Sequence, residues 1–146
     1  MFQTILVAVD GDPQHDAVLA LAAHVAGPCS RLHLLCVIDA EFALPADASP
    51  ADRREYPAAA RERRKADAVL DDALGELRER DVDAVAQVLG GEPADTISAQ
   101  AGRLGADLII IGHRHLGGLR RVFDSSVGQW TLDHASCPVL VETRAP

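Results

Sequence analysis

The sequence predicts an α/β protein, one open sheet of five parallel strands with helices on both faces. Two observations carry this reading. Short continuous apolar runs recur five times, which is how strands buried on both faces read. Stretches with helical spacing alternate with them, and alternation of the two argues for one parallel sheet covered on both sides.

The first run is "TILVAVD", residues 4 to 10. After it, Asp12 can cap a helix and Pro13 suits its first turn. Val18, Leu19, Ala22 and Val25 then share a helical face until Gly27 and Pro28 stop it. "LHLLCVID", 32 to 39, is the second strand. Residues 40 to 57 hold Ala, Pro and Asp with no steady period. They are expected to form a loop, with a helical turn possible only after Ser49-Pro50. From about 58 to 80, Ala66, Val69, Leu70, Ala73, Leu74 and Leu77 define a second helical face, weakened at Gly75. "DAVAQVLG", 83 to 90, alternates more than the others, as an edge strand does. A short helix from near Pro93 to Gly105 leads into "ADLIIIG", the fourth strand. Ser125 or Ser126 can cap a last helix, "VGQWTLDHA", before the fifth strand, "CPVLVET", 137 to 143. Trp130, on that last helix, suits either the core or a subunit contact.

Length and composition narrow the function. A chain of 146 residues suits one domain, 1–146, with one core. No apolar run approaches the roughly 18 residues of a membrane span. "MFQTILVAVD" has no basic lead-in, so a cytoplasmic protein is expected. A net charge of -8 disfavours nucleic acid as a partner, because phosphate contacts need a basic face. "RERRK", 61 to 65, reads as a solvated helix face. The three cysteines, Cys29, Cys36 and Cys137, include no C-x-x-C pair and are expected to be buried, reduced thiols.

In an open parallel sheet, ligands bind beyond the carboxyl ends of the strands, where strand order reverses. Three segments qualify: Val9-Asp10-Gly11, Val37-Ile38-Asp39 and the loop from Gly112. Asp10 can accept hydrogen bonds from ribose hydroxyls or simply cap the first helix. The loop "GHRHLGGLRRVFDSSV" mixes glycines, Arg114, Arg120, Arg121 and a serine pair at a helix start. Those features suit an anion, but taken alone they suit a solvated surface loop with a serine cap better, because the loop matches no Walker or dinucleotide pattern. His113 and His115 lack a third ligand nearby, so no metal site is expected. There is no G-x-S-x-G nucleophile, and strand three ends "VLGG", without the acceptor Asp of phosphotransfer receivers. No catalytic residue is assigned.

Taken together, "ILVAVDGD", "LLCVID", "ADLIIIGHRHLGGLRRVFDSSV" and "HASCPVLVE" resemble the universal stress protein family, in order and at its spacing. The resemblance covers essentially the whole chain. It implies a Rossmann-like sheet of order 3-2-1-4-5 and a homodimer formed through the last strand. It also implies an adenine-nucleotide (ATP or AMP) regulatory module in stress response, with Mg accompanying ATP. With no positioned general base other than Asp10, at most weak ATP hydrolysis is expected. The implied nucleotide contacts are Val9, Asp10, Val37, Gly112, Arg114, His115, Ser125, Ser126 and Val127. Two positions depart from the family's G-x-x-G, nine residues, G-S pattern: His115 stands at its second glycine and Ser125 at its third. A non-glycine residue forced to positive φ costs about 1 to 3 kcal/mol, and about 1.4 kcal/mol is tenfold in affinity. The departures therefore weaken a nucleotide site without abolishing it. The alternative is a dimeric interaction module whose loop binds no nucleotide.

Overall fold

The computed structural model describes residues 1–11, 14–112 and 133–144. Within them the chain alternates strand and helix: β1 (Thr4–Ala8), α1 (His15–Val25), β2 (Arg31–Ile38), α2 (Pro50–Glu55), α3 (Pro57–Glu79), β3 (Ala84–Gly90), α4 (Pro93–Leu104), β4 (Leu108–Gly112) and β5 (Val139–Glu142). The five strands form one parallel sheet of order β3-β2-β1-β4-β5. This is the expected class and order, with β3 at an edge.

Alternation along each strand sorts the core into two layers. Ile5 and Val7 of β1, with Val9 just past its end, join Leu32, Leu34 and Cys36 of β2 in packing against α1 and α3. Leu6, Ala8, Leu35, Ile109 and Ile111 face the other way, against Ile97 and Ala101 of α4. The face read from α3's periodicity is the packed one: Ala66, Leu70, Ala73 and Leu77 are buried. Both layers anchor on β1 and β2, so the carboxyl ends of those strands sit on a rigid base.

Helix ends follow local chemistry. Ser49 Oγ accepts from the Asp52 amide at 3.0 Å, while the Asp52 carboxylate accepts from the Ser49 amide at 3.0 Å. This reciprocal box makes α2 where only a helical turn was expected. Residues 40–57 are also more ordered than a loop, since Ala40–Phe42 form a 3-10 turn. α4 ends at Gly105 with φ +62, and the Ala106 amide reaches back to the Ala101 carbonyl at 2.9 Å. Glycine suits that left-handed position. At the sheet's other end, the Asp107 carboxylate accepts from the amides of Gln3 (2.8 Å) and Thr4 (3.0 Å) and fixes β4 against β1. The fifth strand is shorter than expected: Pro138 and Cys137 precede it.

Candidate functional site

Register brings three strand tips level. Ala8 pairs with Leu35 of β2, and Val7 with Ile110 of β4. Continuing each ladder puts Val9 in one row with Cys36 and Gly112. The Val9 amide still donates to the Leu35 carbonyl at 2.9 Å. Strand order reverses between β1 and β4, because the β1–β2 connection runs one way across the sheet and the β3–β4 connection returns the other. A crevice for ligand is expected there.

Of the residues expected at the site, Val9, Asp10, Val37 and Gly112 are among those described, and the register sets Val9 level with Gly112. Their side chains do not all face one space. Val9 is buried in the layer under α1 and α3, whereas Val37 packs on the α4 layer. What the two share with Gly112 is the backbone rim. Asp10 is exposed beyond the end of β1. Arg114, His115, Ser125, Ser126 and Val127 lie outside the described residues, as do His113, Arg120, Arg121 and Trp130.

The rim is tightly fitted. A Cβ on Gly112 would lie 3.1 Å from Gln14 Oε1 and 3.2 Å from Val18 Cγ2, so α1's first turn presses on the end of β4. Gly11 has φ +75, and a Cβ there would come within 2.6 Å of Val69 on α3. Glycine at 11 thus serves both a left-handed turn and close approach.

Sequence reasoning missed two contributors. Gln14 is buried, and its Nε2 donates to the carbonyls of Arg144 (2.8 Å) and Glu142 (3.4 Å). Glu142, opposite Gly112 in the β4–β5 register, is buried as well. Its carboxylate accepts from the Arg144 amide at 2.8 Å and from Arg144 Nε at 3.0 Å. These hydrogen bonds hold the Glu142 carboxyl down at about 2. No sequence signal links residues 128 positions apart, so these contacts become visible only in the fold.

The thiols are not alike. Burial pushes Cys36 up to about 12, and the nearby charges of Asp10, Asp67 and Glu62 add to it. Cys137 is half-buried and also raised, by burial and then by Asp107. Cys29 is exposed, contrary to the expected burial, because it lies in the turn between α1 and β2. His33 on β2 is held below its ordinary value, first by burial and then by the Arg31 charge.

The model of the universal stress protein family matches residues 1–142. The chain belongs to that family. Universal stress protein YxiE of Bacillus subtilis is 27% identical over 97% of this chain and 99% of its own. Among solved structures, hypothetical protein MJ0577 superposes with a TM-score of 0.79 at 22% identity, covering 99% of this chain and 98% of that one. The universal stress protein of Archaeoglobus fulgidus, solved in complex with dAMP, gives a TM-score of 0.68 at 22% identity, covering 97% and 98%. At these identities the two superpositions show a shared fold. Among the described residues no helix is long and apolar enough to cross a membrane.

Proposed function

We propose that this universal stress protein is an adenine-nucleotide-binding regulatory module of the stress response, carried by one domain over 1–146 and acting in the cytoplasm. The observation that carries this reading is the level row of strand tips, with Asp10 exposed just past Val9 and Gly112 closely packed by Gln14 and Val18. The dAMP held by the Archaeoglobus fulgidus protein of the same fold supports it. Asp10 would accept from ribose hydroxyls, and the backbone at Val9 and Val37 would meet the base. Arg114, His115, Ser125, Ser126 and Val127 would surround the phosphates of ATP or AMP, with Mg accompanying ATP. Asp10 is the single base we can nominate, so ATP turnover, if present, is slight.

The test begins with freshly purified protein, denatured and assayed for released adenine nucleotide by absorbance and mass. Melting is then followed with ATP and magnesium. A ligand at 100 times its Kd stabilises by about 2.7 kcal/mol. Asp10→Ala and Ser126→Ala should each erase the shift. No released nucleotide, together with no shift at millimolar ATP, would leave the dimeric interaction module as the better account.

A further inference from the structure

Away from the strand tips, His15 and Asp16 open α1, and Glu76 lies on the facing side of α3. One ligand atom from each of these three residues lies within 4.8 Å of the other two. His15 is half-buried, and its Nδ1 is sealed from solvent with no hydrogen-bond partner. A buried polar nitrogen is seldom left so, and each exception asks for an explanation.

We propose that His15, Asp16 and Glu76 form a site for a divalent transition cation of the zinc class, bridging α1 to α3. One imidazole with two carboxylates suits zinc, manganese or cobalt. Magnesium and calcium favour all-oxygen sets. Coordination through Nδ1 gives His15 the partner it lacks. Ligands bound at about 2.0 to 2.2 Å in a tetrahedron lie about 3.4 Å apart, so modest side-chain rotation closes the set. Three protein ligands leave a fourth position for water.

Glu76 is already engaged, since its Oε1 accepts from Arg80 Nη2 at 2.8 Å. The second carboxylate oxygen remains able to ligate. Arg80 therefore holds Glu76 in place and competes mildly with the ion. The bridge would join residues 61 positions apart. It would pin the turn that carries Gln14, whose side chain touches the Gly112 rim. No sequence spacing reveals such a set, which is why no metal was expected there.

The test uses the full chain stripped with EDTA and titrated with Zn²⁺ alone, without nucleotide. Calorimetry should show a site that weakens at least roughly tenfold in His15→Ala and in Glu76→Gln. Arg80→Gln should bind as tightly or more tightly. A His113→Ala, His115→Ala double variant should bind as the parent does. Melting temperature should rise with Zn²⁺ in the parent and not in Glu76→Gln. If His15→Ala does not fold, Asp16→Asn, at an exposed side chain, reads the same loss. Undiminished binding in both Glu76→Gln and Asp16→Asn, or loss of binding in the His113/His115 variant instead, overturns the proposal. Because nucleotide is absent throughout, failure here leaves the nucleotide reading untouched.

Discussion

Glu142 keeps its charge although its side chain is almost wholly out of water. Charge is tolerated there because Arg144 supplies its amide and guanidinium as donors. Hydrogen bonds to the charged form lower a carboxyl's pKa. The folded value is about 2, against about 4.3 for an unperturbed glutamate. Between those values the unfolded chain binds more protons, so stability rises with pH. Glu142's contribution is complete above about pH 4.3 and fades as the pH falls towards 2. His33, also depressed, acts in the same direction at milder acidity. Urea unfolding measured across this range should therefore show a flatter acid limb in Glu142→Gln, with lower stability at pH 7. An acid limb identical to the parent's would mean that the Arg144 contact contributes nothing.

One glycine inside a helix and one at a helix end show how backbone, more than space, sets the effect of a side chain. Nothing lies within 4 Å of a Cβ built on Gly75 in α3, nor of one built on Gly105 after α4. Gly75 is interior to a helix, where alanine is favoured by about 1 kcal/mol. Gly105 has φ +62, where an L side chain costs roughly 1 to 2 kcal/mol. Gly75→Ala should raise the denaturant midpoint and Gly105→Ala should lower it, with m unchanged in both. Equal signs would show that backbone conformation does not decide the effect at these two positions. The same comparison explains what could be read from residues alone. Gly105 announced its helix end, whereas the turn after α3 takes Asp81 to φ +57 with no glycine to mark it. The capping pair Ser49 and Asp52 was present in the chain, but a segment without apolar period gave no helical face to attach it to. At the site, Asp10 and Gly112 were legible because each breaks an apolar run. Gln14, Glu142 and the His15–Glu76 pair were not, because packing alone brings them near their partners.

The sheet as a whole has two edges, β3 and β5, and each must be covered or left short. β3 is seven residues long and shows Val85, 49% exposed, to solvent. β5 has four residues, and its consecutive Val139, Leu140 and Val141 are only half-buried. A short apolar ladder at an edge is well matched to a copy of itself, since a two-fold pairing presents the same patch from both sides. The homodimer through the last strand that the family resemblance implies would complete the burial of those three residues. A stable pairing needs upwards of about 1,000 Å² in total, so flanking helix surface must take part as well. Sedimentation should accordingly give a dimer for the parent. Val139→Lys or Val141→Lys should give a monomer that keeps its helical circular dichroism. Val85→Lys, on the opposite edge, should leave the dimer intact. A monomeric parent, or a dimer lost through Val85 and kept through β5, would move the interface to β3 or remove it, and any coupling between nucleotide and assembly would need another route.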